Sequence, residues 1–234
     1  MERTKARTQH LDNKILFKIQ ELHGPRLDKA MTFFTLMGNG ALIWVFTGIF
    51  ITLFTQYKYH GVLLIVTIIM TTFSNMFIKS RFNRLRPCDI YKDVPILIRR
   101  PMGSSLPSGH TASSFASATI LLHMNYKIGL IALALAFIIS FSRLYLFVHF
   151  PSDVLFGLLS GIAVALINIP IALRLIENKN RRKFVVAPVF YYYNKVHFIY
   201  PRKGTAEYMN SREKERFRTE AKNLYGYFYF SRSI

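Results

Sequence analysis

The sequence has little cysteine and little acid. Cys88 is its single cysteine, and 12 aspartates and glutamates stand against 31 lysines and arginines. One cysteine excludes an intrachain disulfide and a cysteine-rich metal site. A cleavable signal peptide, with its basic head and apolar centre, is not found in the polar first ten residues. We therefore expect membrane targeting to depend on the first hydrophobic span.

Hydrophobic residues make up 51% of the chain and aromatic residues 15%, which is not typical of a soluble domain. The formal net charge is +19, a value that suits nucleic acid or anionic lipid headgroups. Because no nucleic-acid-binding motif is present, lipid is the better interpretation. The expected partners are membrane lipids, with no nucleic acid, and the sequence leaves the oligomeric state open.

Long apolar segments separated by short polar turns predict transmembrane helices, which need about 20 residues each. The predicted helices cover residues 31–56, 62–78, 112–124, 128–148 and 154–176. The expected fold is therefore all-α, a polytopic membrane bundle of about five to six helices with antiparallel neighbours. Small residues in the last helix, among them Gly157 and Gly161, predict close helix approach.

The two ends of the chain have a different composition. Apolar residues at helical spacing within residues 11–22 predict an amphipathic helix, lying either on the membrane surface or against the bundle. From residue 178 onward, 13 lysines and arginines accompany 4 glutamates and two aromatic clusters. We divide the chain into an N-terminal segment, 1–30, a membrane core, 31–177, and a basic, aromatic tail, 178–234.

Polar residues at the ends of three apolar spans are the candidates for function, since ionisable groups beside such spans are costly. In the first cluster Lys79 and Arg86 are seven residues apart, so a helix continuing to Pro87 would present both on nearly the same side. The alternative is that they are snorkelling anchors, as we expect for Arg81 and Arg84.

The second cluster is the tetrapeptide from Pro107 to His110. Ser108 can cap a helix, Gly109 permits an anion to approach the backbone, and amides at a helix start bind phosphate. His110 would lie beside that phosphate and donate a proton to a leaving oxygen. An ordinary helix start with an interfacial histidine is the alternative.

In the third cluster Arg143 interrupts a very apolar helix, which predicts a charge partner or a bound anion. His149 and Asp153 follow, four residues apart across a turn. The carboxylate can hold one imidazole nitrogen and leave the other free as a nucleophile; alternatively, Asp153 is only a helix cap. Alternating helix directions place all three clusters at one membrane face, which favours a single anion site.

These residues resemble the type 2 phosphatidic acid phosphatase superfamily, whose signature has three parts. They are a lysine, six residues and Arg-Pro; then Pro-Ser-Gly-His; then Ser-Arg, five residues, a histidine, three residues and an aspartate. All three parts match without substitution between Lys79 and Asp153. The resemblance covers residues 10 to 177 and leaves out the tail.

The resemblance implies a reaction through a phosphohistidine. His149 would be the nucleophile, Asp153 would orient it, and His110 would protonate the leaving group. The phosphoryl oxygens would be bound by five residues: Lys79, Arg86, Ser108, Gly109 and Arg143. The family needs no metal or other cofactor, which agrees with the lack of a carboxylate-rich cluster in this chain.

The implied substrate is a lipid phosphate such as phosphatidic acid, phosphatidylglycerol phosphate, undecaprenyl pyrophosphate or a lipid A phosphate. A lipid phosphotransferase with the same site and a non-catalytic lipid-phosphate binder are the alternatives. The basic tail favours a cytoplasmic C-terminus. We thus expect an outward-facing site, and the resemblance to compact bacterial members of the family implies a bacterial inner-membrane protein.

Overall fold

The computed structural model describes the backbone of residues 2–179 and the side chains of residues 7–174. The predicted tail, 178–234, lies almost entirely outside these residues. Every regular element in the described part is helical. The helices are α1 (Glu2–Gln20), α2 (Pro25–Gly38), α3 (Leu42–Phe54), α4 (Lys58–Phe82), α5 (Pro87–Ile90), α6 (Gly109–Met124), α7 (Tyr126–Tyr145) and α8 (Pro151–Lys179).

Four stretches of the described chain are long and apolar enough to cross a membrane: Pro25–Phe54, Lys58–Ile90, Tyr126–Tyr145 and Pro151–Arg174. Their outer faces expose large apolar side chains, such as Phe46, Phe73 and Leu159, which is the surface that lipid tails require. The remaining predicted span, residues 112–124, corresponds to α6, which has only 16 residues. The all-α membrane bundle predicted from the sequence is confirmed.

Helix α6 lies at the centre of the bundle and packs against α4, α7 and α8. Many of its buried residues are small, for example Ala112, Ala116 and Ser117. A Cβ atom on Gly157 of α8 would lie 2.7 Å from the carbonyl oxygen of Ser108, so only glycine permits this approach. The predicted role of the small residues in close packing is thereby confirmed.

The first predicted span is broken in its middle. A 3-10 turn, Asn39–Ala41, separates α2 from α3, and both Gly40 and Ala41 have φ near +57°. Left-handed backbone is rare for alanine, and it redirects the chain next to the side chain of Asn39. This break between α2 and α3 has a place in the site described below.

Helix α1 packs on α7 and α8, with Leu16 fully buried among the residues of the turn between those two helices. Leu11, Ile15 and Leu22 remain exposed. One face of α1 therefore packs on the bundle, and a second apolar face is exposed. The predicted placement against the bundle describes the first face, and the predicted placement on the membrane surface suits the second. The predicted boundary between the N-terminal segment and the membrane core, at residue 30, lies inside α2, which begins at Pro25.

Candidate active site

The turn between α7 and α8 carries His149. Helix α7 ends in a Schellman motif: the amide of Val148 donates to the Arg143 carbonyl and that of Phe147 to the Leu144 carbonyl. Phe147 takes the left-handed position with φ of 58°, where glycine is usual. Its ring is buried against Phe17 of α1. Packing thus holds a strained turn that fixes the backbone just before His149.

The imidazole of His149 is almost fully buried, and its Nε2 lies 3.1 Å from Nη1 of Arg86. A guanidinium only donates hydrogen bonds, so Nε2 is the unprotonated nitrogen and Nδ1 carries the proton. Burial, assisted by the charges of Arg143 and Arg86, lowers the pKa of His149 to about 3. The ring is therefore neutral at pH 7, as a nucleophile must be.

The carboxylate of Asp153 is fully buried and accepts hydrogen bonds on both oxygens. Oδ2 accepts from the Phe150 amide at 2.8 Å and from the Ser105 hydroxyl at 2.5 Å. It also lies 3.8 Å from Nδ1 of His149, and Ser105 Oγ is 3.5 Å from that nitrogen. Asp153 thus caps α8 and faces the protonated side of His149, with the Ser105 hydroxyl reaching both groups.

Lys79 and Arg86 meet in a way that the sequence did not predict. Helix α4 ends at Phe82, Asn83 has φ of +29°, and Arg86 precedes the short helix α5 in extended backbone. The expectation of one continuous helix to Pro87 is therefore wrong. The two cations still converge, because both donate to the carbonyl of Ser104, at 2.7 Å from Lys79 and 3.2 Å from Arg86.

Arg143 is buried near the end of α7. Its Nη1 donates to the hydroxyl of Thr35 on α2, and its Nε has no hydrogen-bond partner. Among the described residues, no carboxylate lies within 4.0 Å of Arg143, Lys79 or Arg86. Buried cations without acidic partners are costly. Arg86 and Arg143 are two such cations, and the partly buried Lys79 lies at the same end of the bundle, an arrangement suited to binding an anion.

The N-terminus of α6 begins with Ser108, which is buried and whose hydroxyl accepts from Thr111 instead of capping the helix. The Ser108 amide donates to the carbonyl of Asp153 at 3.1 Å, which joins this cluster to the third. Around Gly109, the position of a Cβ atom is open to 4 Å. An anion therefore has space at a helix start whose first amides lack carbonyl partners.

His110 lies one residue further, with its Nε2 held by two oxygens of α2 and the turn after it. They are the Thr35 carbonyl at 3.2 Å and the Asn39 side-chain oxygen at 2.9 Å. Because a carbonyl only accepts, Nε2 carries a proton, and Nδ1 is the nitrogen left for a ligand. Thr35 also binds Arg143, so α2 connects the second and third clusters.

The structure thus links all three clusters. Asn39, Thr35 and Ser105 join them, although none of these residues belongs to a sequence motif.

The prediction that Arg84 is a membrane anchor is wrong. Its guanidinium binds Asp153 at 2.6 Å and Asp12 of α1 at 2.7 Å. A signal existed in the sequence, because Asp12 precedes Leu16 and Ile19 on the same helix face, and a carboxylate on a buried face needs a partner.

No group of three or more histidine, cysteine, aspartate or glutamate side chains that could hold a metal ion occurs in the described part of the chain. The candidate ligands of a phosphoryl group are instead cations and helix amides. Chemically, the arrangement can bind a phosphate-sized anion, attack it with a neutral imidazole and protonate a leaving oxygen. The roles of the individual residues stay predictions.

Two solved structures share the fold. LpxE from Aquifex aeolicus superposes with a TM-score of 0.62 at 34% identity, over 68% of this chain and 95% of that one. The PAP2-type phosphatidylglycerolphosphate phosphatase from Bacillus subtilis superposes with a TM-score of 0.61 at 23% identity, over 76% and 89%. At the lower identity, the similarity establishes the fold alone.

Among characterised proteins, the lipid A 4'-phosphatase of Bacteroides thetaiotaomicron is 30% identical over 64% of this chain and 72% of its own. The undecaprenyl-diphosphatase of Sulfolobus acidocaldarius is 25% identical over 62% and 70%. Residues 60–178 match the PAP2 superfamily as a whole, a range that contains all three motifs. This chain is accordingly a member of the PAP2 superfamily.

Proposed function

We propose that this protein is an integral-membrane phosphatase that removes a phosphoryl group from a lipid phosphate or diphosphate through a phosphohistidine on His149. The observation that carries the proposal is a cluster of three cations without acidic partners in the described chain: the buried Arg86 and Arg143 and the partly buried Lys79. They lie around an imidazole whose free lone pair points at a guanidinium. The phosphatases among the relatives support the same reaction class.

In the first step the phosphoryl oxygens take the place of the present contacts around Arg86. The three cations and the first amides of α6, beside Ser108 and Gly109, neutralise the charge that the transition state spreads over these oxygens. Nε2 of His149 then forms the N–P bond as the P–O bond to the leaving group breaks. Asp153 and the Ser105 hydroxyl stabilise the charge that develops on the imidazole.

Protonation of the leaving oxygen requires His110 as the imidazolium, protonated on both nitrogens, a form that the adjacent anionic phosphoryl group favours. The leaving oxygen takes the Nδ1 proton, while Nε2–H stays held by Thr35 and Asn39. The deprotonated His110 then accepts a proton from water as the water oxygen attacks phosphorus and the N–P bond breaks. Inorganic phosphate leaves, and both histidines return to their starting states. No step requires a metal ion.

The first test is phosphate release by the purified protein in detergent micelles, with EDTA present. The substrates are phosphatidic acid, phosphatidylglycerol phosphate, undecaprenyl pyrophosphate and lipid A. We expect metal-independent release, with His149→Ala reducing it by about a thousandfold or more because the nucleophile is lost. His123→Ala is the matched control, since His123 lies at the opposite end of α6 and should leave the rate unchanged.

Each alternative predicts a different outcome of this test. A phosphotransferase would release little phosphate and transfer the label from a radiolabelled donor to an added lipid alcohol. A non-catalytic binder would retain the radiolabelled lipid without turnover, in folded wild type and in His149→Ala alike. Full release by His149→Ala would reject the phosphohistidine mechanism.

We also propose that the site faces outward from a bacterial inner membrane, because the basic tail favours a cytoplasmic C-terminus. Cys88 is buried, so single exposed cysteines can report the orientation. Met102→Cys, at a 92% exposed position in the loop over the site, should react with an impermeant maleimide on intact cells. Lys127→Cys, at the other end of the bundle, should react only after lysis, and the reverse result would invert the orientation.

A further inference from the structure

The carboxylate of Asp12 connects the N-terminal helix α1 to the start of α8. It is 3% exposed, and it precedes the first motif residue, Lys79, by more than sixty residues. Its Oδ1 accepts from the amide of Ser152 at 2.9 Å, and its Oδ2 accepts from the Ser152 hydroxyl at 2.5 Å. Asp12 therefore caps, from another helix, the first turn that carries Asp153.

Arg84 connects the carboxylate of Asp12 directly to that of Asp153. Nη2 donates to Asp12 at 2.7 Å, and Nη1 donates to Asp153 at 2.6 Å and to Ser152 at 2.7 Å. The guanidinium lies 4.4 Å from the ring centroid of Phe150. Its planar fork is thus fixed on one face by an aromatic ring and at both ends by acids, a geometry that lysine cannot reproduce.

These contacts determine where the carboxylate of Asp153 can lie. Arg84 binds Oδ1, while Ser105 and the Phe150 amide bind Oδ2, so both oxygens have fixed partners. A shift of this carboxylate would change its 3.8 Å approach to Nδ1 of His149. Small displacements of an orienting group alter the reaction rate more than the binding of the substrate.

From this geometry we infer that Asp12 and Arg84 are positioning residues that set Asp153 against His149, which makes α1 a working part of the site. The inference rests on the proposed function of His149 as the nucleophile. It assigns a role in the reaction to a helix that precedes the matched family region, residues 60–178. Both residues would act through Asp153 and Ser152, the groups that they contact.

The first test compares kinetics of three variants with dioctanoyl phosphatidic acid in detergent micelles. Asp12→Asn and Arg84→Lys should each lower kcat by about tenfold, equivalent to about 1.4 kcal/mol on the barrier, with KM within about twofold of wild type. Asp28→Asn is the matched control. It removes another carboxylate that fastens the N-terminal helices, through the Tyr145 hydroxyl at 2.5 Å, but it does not contact the site.

A structural role alone would give a different pattern, in which Asp12→Asn and Asp28→Asn lose the same fraction of activity in proportion to lost thermal stability. That result, or wild-type kcat in both Asp12→Asn and Arg84→Lys, would overturn the inference. Arg84→Lys keeps the charge and serves as the second variant if Asp12→Asn is not monodisperse.

The second readout does not depend on turnover. Orthovanadate mimics the transition state at a nucleophilic imidazole, so it should raise the Tm of the wild type and of Asp28→Asn by the same amount. The shift should be smaller in Asp12→Asn and Arg84→Lys. If wild type releases no phosphate from any lipid, the proposed function fails, while this vanadate comparison still decides the inference: equal shifts in all four proteins would reject it.

Discussion

Oδ2 of Asp153 lies 3.8 Å from Nδ1 of His149, which is too long for a hydrogen bond. The Ser105 hydroxyl lies 2.5 Å from that oxygen and 3.5 Å from that nitrogen. The orientation of the imidazole therefore depends on Asp153, on Ser105 and on Arg86 at Nε2, and of these only the serine lies outside the family motifs. Its contribution can be measured separately from that of the aspartate.

Ser105→Ala should reduce kcat for phosphate release by about tenfold, because it removes one hydrogen bond to a charged carboxylate, a bond of about 1.5 kcal/mol. Ser117→Ala is the matched control. Ser117 is also fully buried, but its hydroxyl has no hydrogen-bond partner, so its loss should leave kcat and Tm close to wild type. Equal losses in both variants would mean that the Ser105 hydroxyl acts only through packing.

Arg143 and Arg84 should respond in opposite ways to the same substitution. Arg143→Met removes a buried cation that has no acidic partner in the described chain, so the protein should keep or raise its Tm while losing activity. Arg84→Met leaves Asp12 and Asp153 without their shared cation and should lower the Tm by about 5 °C or more. Thermal unfolding in detergent, followed by tryptophan fluorescence, compares the two variants.

A fall in the Tm of Arg143→Met as large as that of Arg84→Met would contradict the assignment of Arg143 to an anion site. It would indicate that the guanidinium stabilises the bundle through its bond to Thr35. Phosphate ions supply a further check, because they should raise the Tm of wild type and have no effect on Arg143→Met.

Acid should destabilise the protein through His149. Burial lowers the pKa of this histidine to about 3, from 6.5 for the free side chain. Between pH 6.5 and pH 3, His149 therefore binds a proton in the unfolded chain but not in the folded chain. The contribution of this histidine to the free energy of unfolding is fully present above pH 6.5 and declines as the pH falls toward 3. The Tm of His149→Gln should decrease less steeply over this interval than that of wild type. Parallel curves would show that the buried imidazole does not control acid stability.

The sequence predicted the parts of the site that depend on local pattern. Hydrophobic segments gave the helices, and motif spacing gave the residues from Lys79 to Asp153, since each cluster lies at a helix end on the same side. It could not predict that α4 stops at Phe82, because the break follows from tertiary contacts of the loop rather than from a proline or glycine. Arg84 was missed because it resembles an ordinary charge beside a membrane span until its partners are brought to it. The position of Asp12 on the apolar face of α1 indicates that it needs a partner, but only the fold shows that the partners are Arg84 and Ser152.

A substitution at Gly109 can test whether this residue binds the anion or only shapes the start of α6. A Cβ atom at this position meets no atom within 4 Å, and alanine is a better helix residue than glycine. Gly109→Ala should therefore keep the Tm of wild type. The added methyl group would occupy the space through which an anion reaches the first amides of α6, so kcat/KM should fall by about tenfold or more.

Gly24→Ala is the control for this substitution, since a Cβ atom there also meets nothing within 4 Å and the residue precedes α2, away from α6. Steady-state phosphate release and Tm are measured for both variants. Gly24→Ala should match wild type in each. If Gly109→Ala also retains full kcat/KM, the phosphoryl group does not approach the start of α6, and the anion must be held by Lys79, Arg86 and Arg143 alone.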